Sequence, residues 1–77
     1  MYFFEHKVML PVTDDILRQT GGIKGLMERV RSVDGLYLST DEDEIVVPFV
    51  YKRYDIFHIL DKLEIKYNIK DLRLIKI

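Results

Sequence analysis

Cysteine is absent from this sequence, and only two prolines and four glycines interrupt it. The lack of cysteine excludes a disulfide framework, a thiol nucleophile and any zinc site built on sulfur. No apolar run approaches the roughly 20 residues of a membrane-spanning helix, and Pro48 interrupts the apolar stretch 45–50. The start of the chain also lacks the basic lead and apolar stretch of a signal peptide. Together these absences favour a cytoplasmic protein.

Charge is nearly balanced overall, with a formal net value of −1, but it is unevenly distributed. Residues 34–51 carry five acidic side chains and no basic one, whereas residues 52–77 carry seven basic and four acidic side chains. Strong non-specific nucleic-acid binding needs a larger positive field than this. The composition, 48% hydrophobic and 32% charged, is that of a globular protein, so we predict one domain over residues 1–77.

The hydrophobic pattern predicts strand, helix, strand, strand, helix and strand in that order. The predicted strands cover residues 2–12, 36–39, 45–51 and 71–77, and the predicted helices cover about 14–33 and 54–67. Short right-handed connections fold this order into a ferredoxin-like β-α-β-β-α-β sandwich. The predicted fold is therefore α+β, with two helices on one face of a four-stranded antiparallel sheet.

Four residues give local predictions about how these elements begin and break. Thr13, followed by two aspartates, is expected to cap the first helix. Gly21 and Gly22 together are expected to break or kink that helix, because glycine is unfavourable in a helix interior. Pro48 lacks an N–H group, so it must sit at a bulge or on an unpaired edge of its strand.

The stretch from Gly21 to Val47 resembles the first half of heavy-metal-associated domains. The shared features are a glycine-containing loop, an amphipathic helix, the sequence Val33-Asp34-Gly35-Leu36 and a following hairpin. Those families place two cysteines just before the helix, where this chain has Gly21, Gly22 and Ile23. The resemblance therefore implies the fold and not the metal function. Ligand-sensing ACT domains share the same layout.

The sheet face without helices should be polar in a solvated monomer, yet strand alternation places apolar side chains on it. The predicted interface residues of this face are Phe3, Met9, Tyr37, Phe49, Tyr51, Arg73 and Ile75. An exposed apolar patch of this kind marks an interface. We predict a non-enzymatic protein-interaction module that regulates, inhibits or assembles a larger partner through this face, or that forms a homodimer.

The alternative is a single-stranded nucleic-acid-binding domain similar to RNA-recognition motifs, in which aromatic side chains of the open sheet face stack on bases. Tyr37, Phe49, Tyr51 and Arg73 would form that platform, together with the basic C-terminal third. The chain lacks the Gly-aromatic-Gly-aromatic core of those motifs, and Pro48 interrupts the strand. A third hypothesis is an oligomeric enzyme with a site between subunits that contains His6 or His58.

Other motifs are interpreted as structural. The acidic run is predicted to be a solvated hairpin tip or a knob that faces a basic partner, and it consists of Asp41, Glu42, Asp43 and Glu44. The glycine-rich stretch 20–25 lacks the spacing of a phosphate-binding loop, so a helix kink or a close backbone contact is predicted there. His6 and His58 are far apart in sequence. We predict no catalytic residue, no metal ligand and no cofactor.

Overall fold

The computed structural model describes residues 6–50 and 53–76, without the side chains of residues 6, 49, 50, 53–55 and 76. In chain order the elements are β1 (His6–Pro11), α1 (Asp14–Thr20), α2 (Ile23–Arg31), β2 (Tyr37–Leu38), β3 (Glu44–Val50), α3 (Arg53–Asp61), a 3-10 turn (Ile69–Asp71) and β4 (Arg73–Lys76). The predicted α+β class and four-stranded antiparallel sheet are confirmed. The prediction of two helices is wrong, because the described part of the chain forms three.

The strands lie in the order β2-β3-β1-β4, and every neighbouring pair is antiparallel. It follows that β1 and β2 run parallel to each other with β3 between them. In the same way, β3 and β4 run parallel with β1 between them. The two strand-helix-strand segments are therefore interleaved, and each fills the gap that the other leaves in the sheet.

The break in the first predicted helix is confirmed at the two adjacent glycines. Thr13 caps α1 by accepting a hydrogen bond from the Ile16 N–H on its hydroxyl oxygen, at 3.2 Å. Gly21 ends α1 with φ 79°, a left-handed conformation that favours glycine, and its N–H donates to the Leu17 carbonyl. The chain then turns through Gly22 into α2.

Pro48 lies where the pairing between β1 and β3 is irregular. Val47 pairs with Val8 and Val50 pairs with His6, so β3 contains one more residue than β1 over this step. Such an insertion is a β-bulge, which accommodates a proline because the extra residue is unpaired. The prediction that Pro48 sits at a bulge or on an unpaired edge is confirmed.

The last predicted helix is shorter than its apolar stripe indicates. We predicted a helix to residue 67, whereas α3 ends at Asp61. After α3 the chain forms tighter turns. The Leu63 N–H donates to the Leu60 carbonyl, and the Glu64 N–H donates to the Asp61 carbonyl. Glu64 has φ 56°, which ends the turn. Leu63 is nevertheless 1% exposed, so a non-helical segment buries it.

The core lies between the helices and one face of the sheet. Strand residues of this face are almost completely buried: Val8, Leu10, Ile45 and Val47. The helices contribute further buried side chains to the same cluster, among them Ile16, Leu26, Val30, Ile56 and Leu60. Because side chains alternate along a strand, the intervening residues of β1 and β3 belong to the opposite face. That opposite face is called the open face below.

Candidate interaction surface on the open face

One cross-strand row of the open face crosses all four strands. Tyr37 on β2 pairs with Val46 on β3, Val46 pairs with Met9 on β1, and Met9 pairs with Arg73 on β4. Ile75 lies two residues further along β4 and pairs with Lys7. The predicted interface residues Met9, Tyr37, Arg73 and Ile75 are thus brought to one face.

Exposure on this face is concentrated at its two margins. Tyr37 is 45% exposed on the β2 side, and Ile75 is 42% exposed on the β4 side. Between them, Met9 is half-buried and Val46 is only 1% exposed. The margins are separated by three strand spacings, about 14 Å. Among the side chains that the structure describes, the exposed large apolar residues of the open face are therefore two separate positions, Tyr37 and Ile75.

An ion pair crosses the face between those margins. Arg73 on β4 donates a hydrogen bond to the carboxylate of Glu44 on β3, although β1 lies between the two strands. The side chain of Arg73 is 59% exposed and that of Glu44 is 17% exposed. The guanidinium therefore reaches over β1. Arg73, which we predicted as an interface residue, is already bound to an acidic residue of its own chain.

Glu44 is the first residue of β3, whereas we predicted it in the acidic hairpin tip. The turn itself is exposed and contains Asp41, Glu42 and Asp43. Asp43 takes part in the turn structure, because its carboxylate accepts a hydrogen bond from the Ser39 hydroxyl at 2.8 Å. The same hydroxyl accepts from the Glu44 N–H at 3.0 Å. Of the four acidic residues, Asp41, Glu42 and Asp43 therefore belong to the turn, and Glu44 is the ion-pair partner of Arg73.

Several predicted residues fall outside the described part of the chain. Phe3 and Tyr51 are among them, as is the side chain of Phe49. Of the proposed base-stacking set, the structure describes the side chains of Tyr37 and Arg73, which lie on opposite edge strands.

The two histidines are not brought into a described cluster. His58 is exposed on α3, and the His6 side chain is outside the description. Within residues 6–50 and 53–76, no group of three or more histidine, aspartate or glutamate side chains could hold a metal ion. None of the helices described here is long and apolar enough to cross a membrane.

The β4 strand has a second exposed apolar residue, on the face opposite to Ile75. Leu74 pairs with Val8, so it lies on the helix-covered side of the sheet. It is nevertheless 55% exposed. Leu74 and Ile75 therefore expose apolar side chains on the two opposite faces of one strand.

Two polar side chains that sequence analysis did not select hold the segment after α3 in place. The Arg29 guanidinium donates to the carbonyls of Leu63 and Glu64, both at 3.0 Å. The Gln19 side chain donates to the Lys66 carbonyl at 2.8 Å and accepts from the Lys66 N–H at 2.7 Å. Their hydrogen-bond partners here are backbone groups. Every residue has such groups, so the sequence does not show which of them these two side chains bind.

A groove of about 870 Å³ lies between the start of α1 and the segment 66–71. Its apolar lining includes Ile16, Tyr67 and Ile69, and the last of these is 63% exposed. Burial of the phenol raises the pKa of Tyr67 above its usual value, and the nearby negative charge of Asp61 raises it further.

The raised pKa of Tyr67 predicts a loss of stability at alkaline pH. The folded protein holds the phenol proton more tightly than the unfolded chain, so this contribution is complete below a pH of about 10 and is lost as the pH rises through the folded pKa. Urea denaturation between about pH 8 and pH 11 measures this effect. As the pH rises, the free energy of unfolding should fall less steeply in Tyr67→Phe than in the wild type. Equal slopes for the two proteins would contradict the prediction.

Comparison with known proteins finds no matching family model, no matching curated protein and no matching solved structure. The likeness of residues 21–47 to heavy-metal-associated domains thus stays a resemblance.

Proposed function

We propose that this chain is a non-enzymatic protein-interaction module that regulates, inhibits or assembles a larger partner, or pairs with a second copy of itself. The observation that carries the proposal is the exposure of Tyr37 and Ile75 at the two margins of the open face. Tyrosine is enriched in protein interfaces because it combines a large apolar ring with a polar hydroxyl group.

We also propose that the fold is the ferredoxin-like β-α-β-β-α-β arrangement. Its support is the interleaving of the two strand-helix-strand segments, which follows from the order β2-β3-β1-β4 and the antiparallel pairing. In this interpretation α1 and α2 together take the place of the first helix, and the glycine pair divides it. The open face is then the sheet surface that such folds leave free of helices.

The ion pair between Arg73 and Glu44 supports a protein-binding role for this face. A guanidinium already bound to a carboxylate is less available to a nucleic-acid phosphate. A neutral pair between two exposed apolar margins suits a protein surface, in which apolar contacts are surrounded by polar groups. The area around the pair can therefore accept a partner without an unpaired buried charge.

Self-association is tested first, because the purified protein is then the only component that the experiment requires. We expect light scattering over a series from about 10 µM to 1 mM to detect a dimer, and Tyr37→Lys to raise its dissociation constant about tenfold or more. Ile75→Lys should act in the same direction. Lys24→Glu, on the exposed surface of α2, is the control that changes charge elsewhere.

Two results would count against this assignment. A protein that stays monomeric at every concentration would exclude self-association as its mode of action. A dimer that neither margin substitution weakens would show that another surface forms the contact. Circular dichroism of each variant establishes that the fold is retained, which is expected because both substituted side chains are more than 40% exposed.

A further inference from the structure

The strand β4 lies at one edge of the sheet. Among residues 6–50 and 53–76, it pairs with β1 alone, through residues 73–76. The peptide groups of successive residues in a strand point to opposite sides, so half of those of β4 point away from β1. An edge strand in this state is a template for pairing with a strand of another chain.

Two adjacent apolar side chains of β4 are exposed, one on each face of the sheet. Leu74 pairs with the buried Val8 and lies on the helix-covered side, where it is 55% exposed. Ile75 is 42% exposed on the open face. A ligand that lies on one face of the sheet would cover only one of them. A strand added beside β4 would contact both, because its side chains alternate between the same two faces.

The strand that matches this edge is a second β4. Two identical strands pair antiparallel about a two-fold axis, and side chains that lie opposite each other point to the same face. With Leu74 on the axis, the Leu74 side chains of both copies meet on the helix-covered side. On the open face, Arg73 of each copy then lies opposite Ile75 of the other.

The charge of Arg73 does not oppose this pairing. Arg73 donates a hydrogen bond to Glu44 of its own chain, so its positive charge already has a partner. The aliphatic part of the Arg73 side chain can then pack beside Ile75 of the second copy. A register with Ile75 on the axis would instead place Leu74 opposite Lys76, and Leu74 would lose its apolar partner.

We propose that two copies of this chain pair through the outer edges of β4, antiparallel and with Leu74 on the two-fold axis, so that their sheets become continuous. The two open faces then lie on the same side of the joined sheet, with each Tyr37 at an outer margin. This contact goes beyond the proposed function, because it uses the sheet edge and does not require the open face to bind. A strand of four residues forms a small contact, so we expect a weak dimer.

Single cysteine substitutions test the register, because the chain contains no cysteine of its own. Residues on the axis have Cα atoms about 5 Å apart, which a disulfide can bridge, whereas Ile75 and its copy would be about 8 Å apart. Under mild oxidation with diamide at about 1 mM protein, Leu74→Cys should form a linked dimer about tenfold faster than Ile75→Cys. Lys24→Cys, at an exposed position of α2, is the control for random collision. Equal rates for Leu74→Cys and this control, or a faster reaction of Ile75→Cys, would overturn the proposal.

Leu74→Lys separates the edge contact from an open-face contact, because Leu74 lies on the other side of the sheet. Light scattering of Tyr37→Lys, in which the open-face contact is weakened, should still detect a dimer at about 1 mM. Adding Leu74→Lys should raise its dissociation constant about tenfold or more, whereas adding Lys24→Glu should not. If Tyr37→Lys is a monomer at this concentration, the edge contact is overturned while the open-face contact stands. If Leu74→Lys weakens the wild-type dimer and Tyr37→Lys does not, the open-face contact fails and the edge contact is supported.

Hydrogen exchange of the wild-type protein gives a readout that requires no variant to fold. When the protein concentration rises from about 10 µM to 1 mM, the amides of residues 73–76 that point away from β1 should exchange about twofold more slowly or less, because pairing with a second copy protects them. Unchanged exchange along β4 over this range would overturn the proposal.

Discussion

Gly25→Ala is expected to lower the free energy of unfolding by about 3 kcal/mol, near the upper end of the usual cost of overpacking. A Cβ atom built on Gly25 would clash with the carbonyl oxygen of Thr20 and would lie 2.9 Å from its carbonyl carbon. Both atoms belong to the backbone of α1, so no side-chain rotation can relieve the contact. The two short helices would have to separate, and their buried residues Ile16 and Leu26 would move with them.

The neighbouring residues provide controls that separate this contact from other effects of glycine replacement. Gly21→Ala introduces a side chain at φ 79° with no atom within 4 Å, so only backbone strain of about 1–2 kcal/mol is expected. Lys24→Ala changes an exposed residue of the same helix and should have an effect within about 0.5 kcal/mol. Urea denaturation followed by circular dichroism measures all three. A Gly25→Ala variant as stable as Gly21→Ala would contradict the close approach of the helices.

Arg29→Ala is expected to cost about 2–3 kcal/mol, because hydrogen bonds from a charged donor contribute more than neutral ones and their removal leaves acceptors unsatisfied. The guanidinium donates to three backbone carbonyls, those of Leu63, Glu64 and Gln19, at 3.0, 3.0 and 3.4 Å. These bonds join α2 to the end of α1 and to the turn that follows α3. Without them, the turn that carries the buried Leu63 would lose its main polar attachment to α2.

Two further substitutions make the Arg29 prediction specific. Arg29→Lys keeps the charge and loses the planar fork that reaches several carbonyls at once, so an intermediate loss of stability is expected. Arg31→Ala removes an exposed arginine of the same helix, for which the described residues show no hydrogen bond, and should change stability by about 0.5 kcal/mol or less. Denaturation midpoints that are equal for Arg29→Ala and Arg31→Ala would show that these hydrogen bonds contribute no stability.

Local signals in the sequence predicted the features that depend on neighbouring residues. Thr13 caps α1 because its hydroxyl group is close to the first free N–H groups of the helix, whatever surrounds it. The glycine pair broke the helix for a similar reason. Pro48 required a bulge because it has no N–H group to donate. The alternation of Leu36, Tyr37 and Leu38 likewise predicted which residue faces the open side.

Features that depend on residues distant in sequence could not be predicted from local signals. Leu63 and Tyr67 continue the helical spacing of α3, but Arg29 and Gln19 bind the backbone of this segment in a non-helical conformation. Leu74 pairs with the buried Val8 and follows the alternation of an inward residue, yet it is 55% exposed. Glu44 was placed in the turn because its partner Arg73 is far away in sequence. The segment after α3 and the pair of Glu44 with Arg73 thus involve long-range contacts, which a local pattern does not record.

The position of β1 between β3 and β4 has a consequence for the order of folding. The first described strand pairs with the last, so one side of β1 has its native partner only after the rest of the chain has been positioned. Pairing between strands so distant in sequence is slow, because the chain loses conformational entropy on closing the long loop before the stabilising contacts form. Until then β1, and not β4, provides the unpaired edge. During that interval, β1 is open to pairing with a strand of another chain.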